Sequence, residues 1–211
     1  MAKDTFRLYV DPMAPNVRRV RMFAADKGVL LEEVVIDIPG AEHKGETFQA
    51  RNPFGQVPVL ELPDGTCLSE SVAICRFLDD RFLERPLFGR TAMERAVIEM
   101  WQRRAEFGLF LPAVECGHHS HPYFAQQMEQ IPAWAATSRR RFESTLPILD
   151  RELGLRDFLA GPAFSVADVT AFCGFELGRL FGLEVPAAFA NVARWHERVG
   201  ERRSAAAARY L

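Results

Sequence analysis

The 211-residue sequence predicts an α/β domain over residues 1–82 and an all-helical domain over 90–211, joined by a linker at 83–89. Three observations predict it. Strand-period and helix-period apolar patterns alternate as β-α-β-α-β-β-α up to Phe82. Asp64-Gly65, set between two short apolar runs, marks an antiparallel hairpin. Beyond Phe82 the strand signals stop, and apolar residues recur only at helical spacing.

Taken in order, Phe6, Leu8 and Val10 alternate with Arg7 and Tyr9, the period of a strand with unlike faces, and Asp11-Pro12 ends it. From Asn16 a helix is expected, with Val17, Val20, Phe23 and Ala24 on one face and Gly28 closing it after Lys27. Val34, Val35 and Ile36 give a second strand, and 42–50 a short irregular helix. Pro58 carries no N–H, so it starts the strand 59–62 or lies at an edge, and the two-residue turn Asp64-Gly65 pairs that strand with Cys67 and Leu68. A helix starts at Ser69, with Glu70 and Ser71 in its first turn and Ile74, Phe77, Leu78 and Phe82 at helical spacing. The first β-α-β connection is expected to be right-handed.

In the second half, 91–114 reads as one long helix. Phe142, Leu146, Leu149 and Leu153 mark another, in which Pro147 is expected to produce a kink or a local break. Ser165-Val166-Ala167-Asp168 has the form of a capping box with Asp in place of Glu, opening a helix through Leu180. Val192, Trp195 and Val199 mark a last helix.

Composition narrows the function classes. Apolar residues at 48% and charged residues at 26% suit a globular chain, and a net charge of −2 argues against electrostatic nucleic-acid binding. No apolar run approaches the roughly 20 residues of a membrane span, and the start Met1-Ala2-Lys3-Asp4-Thr5 lacks a signal-peptide core, so a cytoplasmic protein is expected. Cys67, Cys75, Cys116 and Cys173 have neither C-x-x-C nor metal-ligand spacing and read as reduced, mostly buried thiols. His118, His119 and His121 form the one cluster suggestive of metal. Without a partner cluster they read as loop histidines, with a proton-donor role for one of them as the alternative, and no metal site is expected. Arg139, Arg140 and Arg141 sit beside Phe142 on an amphipathic helix and read as a solvated face.

The most informative stretch is 52–71. A Pro-led strand follows Gln56-Val57, a cis Val57-Pro58 bond is plausible there, and an acid-hydroxyl pair opens the next helix. This stretch resembles the glutathione-binding half of a glutathione transferase. The resemblance implies a thioredoxin-like N-terminal domain and extends over nearly the whole chain, since Gly161 to Asp168 resembles the family's buried capping element in the helical domain. It implies that Val57, just before Pro58, pairs by its backbone with the cysteinyl unit of glutathione, next to Gln56. It further implies that Glu70 and Ser71 hold the γ-glutamyl end, and that His43 and Lys44 meet the glycine carboxylate. Glutathione is then a cosubstrate, the protein a homodimer, and the partner substrate a hydrophobic electrophile. That electrophile would sit between the domains against Met13, Phe107 and Phe110, with Tyr123 and Phe124 as further candidates.

Such an enzyme must hold a thiol as thiolate. Lowering a pKa of ~8.5 by about 2 units requires roughly 2.7 kcal/mol. A helix N-terminus supplies ~0.3–1 kcal/mol, and one hydrogen bond to a charged group about 1.5–3 kcal/mol. A single well-placed donor is therefore needed. Family members use Tyr, Ser or Cys, but the corresponding positions fall near Val10 and Ala14, which offer no side-chain donor, and the loop 11–17 has no Cys. Asn16 is the candidate catalytic donor, with Tyr9 second and an N-cap role for Asn16 as its structural alternative. The missing residues leave open a non-catalytic glutathione-binding or interaction protein, and the same thiolate could serve a lyase, dehalogenase, peroxidase or isomerase.

Overall fold

The computed structural model describes residues 6–210. Its internal contacts divide the chain into two units, Met1–Arg85 and Pro86–Leu211.

The first unit holds a four-stranded mixed sheet. Strand β1 (Arg7–Val10) leads to helix α1 (Pro15–Lys27), β2 (Glu32–Val35), the single-turn helix α2 (Glu46–Gln49), β3 (Val59–Glu61), β4 (Cys67–Leu68) and helix α3 (Ser71–Arg81). The sheet order is β2-β1-β3-β4, with β1 and β2 parallel and the other pairs antiparallel. Register runs Arg7↔Glu32 to Val10↔Val35 on one side of β1 and Leu8↔Leu60 on the other. The second strand thus begins two residues before the Val34–Ile36 run, since pairing with β1 rather than apolar content sets its limits.

Helices and loops cover one face of β1 along its length and the other at Tyr9. Leu8 and Val10 are fully buried, as expected, and on the opposite face Tyr9 is buried too, packed with Ile36, Phe48 and Val59, while Arg7 is exposed. Alternation of polarity misread Tyr9 because its ring is apolar and only its hydroxyl needs a polar partner. It donates to Glu61 Oε2 at 2.8 Å, and the Arg51 guanidinium lies 4.8 Å over the ring.

The hairpin differs from the expected two-residue turn. Leu62 N–H donates to Thr66 O and Gly65 N–H to Leu62 O, so the loop has three residues, Pro63 to Gly65. Pro63 has no N–H to continue the ladder, and Gly65 takes the left-handed conformation (φ 88°) that such a loop requires. The α3 helix starts two residues later than expected, with Glu70 as its N-cap.

The second unit is helical: α4 (Ala92–Ala105), a π-helical segment (Glu106–Phe110), α5 (Leu111–Ser120), α6 (Pro132–Leu153), α7 (Val166–Leu180) and α8 (Ala190–Gly200), with a terminal 3₁₀ segment (Arg203–Ala208). The expected single helix 91–114 is thus α4 and α5 with a π turn between them. Pro112 cannot donate to Gly108 O four residues back, and Thr145 Oγ1 bonds that carbonyl instead at 3.1 Å. Thr91 and Glu94 close a capping box at the start of α4. Helix α6 begins ten residues before Phe142 and is unbroken at Pro147.

Helix α7 is buried from Val166 to Gly178 and forms the core of this unit. Asp168, fully buried near its start, accepts from Ser165 N–H and Oγ–H (both 3.0 Å), Leu159 N–H (2.9 Å) and Trp195 Nε1–H (2.9 Å). The expected capping element is therefore also the link from α7 to α8 and to the 159–165 turn. Burial pushes this carboxyl above the usual range, against the opposing pull of its four donors. No helix among the described residues is long and apolar enough to cross a membrane.

Candidate functional site

Two helix starts meet in the first unit. Ala14 caps α1 with no side-chain acceptor and Pro15 has no N–H, so the first amides of α1 stay open to an outside group. Asp11 shapes the preceding loop by accepting from Met13 N–H at 2.8 Å and, through its carbonyl, from Ala14 N–H at 3.0 Å. Asn16 is the second residue of α1 and not its N-cap. Its side chain is therefore free of the capping role, and its Oδ1 accepts from Ser71 Oγ–H at 3.0 Å. Ser71 is the first residue of α3, whose first amides are likewise uncapped by any side chain. Both ends carry the positive pole of a helix dipole.

Between them lies a shallow open cleft lined by Asn16, Asn52, Gln56, Val57, Pro58, Glu70 and Ser71. Six of these are residues singled out from the sequence, drawn from three separate segments. The Val57-Pro58 peptide is cis. Glu70 holds φ 67° without being glycine, a conformation costing of order 1–3 kcal/mol that recurs where a backbone must present groups to a ligand. Its carboxylate is exposed and makes no N-cap hydrogen bond.

Asn52 is the cleft residue that sequence reasoning left out. It is 3% exposed, donates from Nδ2 to Gln56 O at 2.8 Å and accepts at Oδ1 from Phe54 N–H at 3.2 Å. This clamp fixes the turn that delivers Gln56 and Val57. The signal was present, since Asn before Pro favours a turn in which the Asn side chain bonds the backbone two residues on. Gly55, at φ 61°, completes the turn. A Cβ there would stand 2.8 Å from His43 O.

The remaining candidates lie elsewhere. His43 is half-buried and Lys44 exposed on the 3₁₀ turn Glu42–Lys44. His43 Nδ1 is buried with no hydrogen-bond partner among the described residues. Met13 is exposed on its loop. The π turn leaves Phe107 outward at 51% exposure and Phe110 buried at 1%, its backbone close against Gly174 of α7, so of those two rings only Phe107 is open to a small molecule. The Tyr9 hydroxyl is held by Glu61 on the other side of the sheet. Burial and Glu61 raise its pKa, which opposes use as a thiolate stabiliser.

The histidines are used locally. His119 Nδ1 accepts from Ile131 N–H and His121 Nδ1 from Tyr123 N–H, while the His118 ring meets Phe124 at 4.5 Å. Arg139, Arg140 and Arg141 bond Gly182 O, Thr137 Oγ1 and Glu115 Oε2 within the helical unit.

Comparison with known proteins bears on this arrangement. Residues 14–81 match the family model of the glutathione S-transferase N-terminal domain, and 113–202 that of the glutathione S-transferase C-terminal domain. Glutathione S-transferase 2 of Saccharomyces cerevisiae is 34% identical over 206 residues, covering 96% of this chain and 88% of the relative. The crystal structure of Gtt2 from the same yeast superposes with a TM-score of 0.89 at 33% identity, covering 96% of this chain and 99% of that one. A glutathione S-transferase domain-containing protein from Marinobacter aquaeolei VT8 also gives a TM-score of 0.89, at 36% identity and 94% and 99% coverage. An uncapped pair of helix starts beside a cis-proline, on a thioredoxin-like sheet followed by a helical domain, together with these matches along the chain, places the protein in the glutathione S-transferase family as a glutathione transferase with glutathione as its cosubstrate.

Proposed function

We propose that the cleft holds glutathione extended from Glu70 to the 42–44 turn, and that Asn16 stabilises its thiolate for attack on a hydrophobic electrophile. The γ-glutamyl carboxylate meets the open amides of α3 at Ser71, and the Glu70 carboxylate meets the ammonium of the same unit. Ser71 contributes its backbone N–H, because its one hydroxyl proton is already given to Asn16. The cysteinyl unit pairs with the Val57 backbone beside Gln56 and Pro58, and His43 and Lys44 take the glycine carboxylate. The thiol then lies at the start of α1.

The observation that carries this reading is the Ser71–Asn16 bond. It occupies the amide oxygen and leaves Asn16 Nδ2, which has no partner among the described residues, as the available donor of a residue that lines the cleft. The α1 dipole adds ~0.3–1 kcal/mol and one hydrogen bond to a charged sulfur about 1.5–3 kcal/mol, together roughly 1.8–4 kcal/mol, or a shift of about 1.3–3 units. The thiol proton goes to solvent water. The thiolate is then the nucleophile, with Met13, exposed on the loop before α1, as an apolar contact for the electrophile.

Asn16→Ala is expected to raise the pKa of bound thiol by about 1–2 units. Ultraviolet thiolate absorbance against pH measures it, alongside turnover of a chromogenic aryl halide. A titration identical to that of the parent protein removes Asn16 from the mechanism. The protein is further assigned as a homodimer. Light scattering should give about twice the 23.8 kDa chain mass, and a monomer mass at micromolar concentration would refute the assignment.

A further inference from the structure

Beneath the cleft lies a buried cation. Arg19, 1% exposed in α1, donates from Nη1 to Ser71 Oγ at 3.0 Å, and Ser71 Oγ–H donates in turn to Asn16 Oδ1 at 3.0 Å. The direction of this chain follows from a count of protons. A guanidinium has only donors, so Ser71 Oγ must accept from Arg19. A hydroxyl has one hydrogen, and here it points at Asn16. The Asn16 amide therefore turns its oxygen to Ser71 and its NH2 the other way. In the reverse orientation Ser71 Oγ would accept from both Arg19 and Asn16 and its proton would have to find an acceptor elsewhere; the structure instead places it on Asn16 Oδ1.

We propose that Arg19 is a positioning residue for thiol activation, acting through Ser71 to lock the Asn16 amide with its NH2 as the donor to the glutathione sulfur. This rests on the reading of Asn16 given above. Arg19 itself does not line the cleft. Its effect has two parts. It fixes which end of the amide faces the ligand, and as the charged head of a buried chain of hydrogen bonds it polarises each successive donor. A hydrogen bond received at the amide oxygen shifts electron density from nitrogen to oxygen and strengthens the N–H groups as donors. The relay thus favours an anion at the sulfur position over a neutral group of the same shape.

That selectivity separates the relay from a purely structural role. S-methylglutathione offers the same peptide contacts with a sulfur that cannot ionise. In Arg19→Met the pKa of bound glutathione should rise by about half a unit to one unit, a third to two-thirds of the effect of a charged hydrogen bond. Calorimetric affinity for S-methylglutathione should stay within twofold, and Arg19→Lys should recover part of the shift. In an Asn16→Ala background, Arg19→Met should add nothing. An unchanged titration in Arg19→Met, a parallel loss of S-methylglutathione affinity, or a full additional shift in the Asn16→Ala background would each overturn the proposal. Should Arg19→Met fail to fold, Ser71→Ala breaks the same relay at its centre and must show the same rise; no rise there overturns it equally. If Asn16→Ala alone leaves the titration unmoved, the Asn16 assignment falls and the relay with it. A shift in Asn16→Ala with none in Arg19→Met and Ser71→Ala refutes only the relay.

Discussion

Asn16 and Asn52 show how the same residue type divides labour by position. Asn16 uses one end of its amide to bond Ser71 and keeps the other for a ligand, whereas Asn52 spends both ends on the backbone of its own turn. Asn52→Ala should therefore loosen the 52–56 turn and weaken glutathione binding about five- to tenfold, the worth of roughly one hydrogen bond. The bound-thiol pKa should stay where it was. Calorimetry with parallel thiolate titration checks both halves, and a shifted pKa with unchanged affinity would show that the two roles are reversed. Tyr9 gives the complementary lesson. It is a plausible acid by residue type, but its hydroxyl is committed to Glu61, whose own carboxyl is held low by that hydrogen bond and by Arg51 and Arg7.

The helices α1, α3 and α7 put their N-termini to opposite uses. The starts of α1 and α3 carry no side-chain cap and open onto the cleft, while the start of α7 is closed by a carboxylate that also holds Leu159 and Trp195. An end that is to bind a ligand is left unsatisfied, and one that is to hold the core is saturated. Removing Asp168 strands several buried donors at once rather than one cap. Asp168→Ala is expected to cost about 3 kcal/mol or more in urea unfolding, beyond the ~1 kcal/mol of an ordinary N-cap. A loss of 1 kcal/mol or less would mean that water replaces the carboxylate without penalty.

For the whole molecule the acid side is the vulnerable one. Burial in the helical unit lowers the pKa of His118, helped by the charge of His119 and opposed by Glu115. A histidine with a depressed folded pKa binds fewer protons folded than unfolded, so its penalty is absent above the unfolded value of about 6.5 and grows as pH falls through it. The Glu61 cluster adds to the trend further down, because a carboxyl held low gives stability that is lost as pH falls below about 4.3. The melting temperature should therefore drop between pH 7.5 and 5.5, and the drop should shrink in His118→Gln. An equal drop in that variant would place the acid sensitivity in another group.

Much of this was legible in the sequence, for identifiable reasons. Element order followed from apolar period, and the end of α1 from Gly28 after Lys27. Six of the seven cleft residues, Asn16, Gln56, Val57, Pro58, Glu70 and Ser71, were named through the family resemblance, which rests on short local motifs of proline, turn and helix-start residues. Less legible were features fixed by partners far along the chain. Tyr9 is buried because α2 packs over it, the π turn at Gly108 is supported by Thr145 on α6, and the second strand takes its limits from β1. By itself the sequence determined the order of elements, the family resemblance and the ligand class, since each depends on residues within a few positions of one another. The tertiary structure alone decided that Arg19, Ser71 and Asn16 form one chain of hydrogen bonds. Ser71 lies 52 residues from Arg19 and 55 from Asn16. Which residues meet in such a chain depends on tertiary distances that no local pattern encodes.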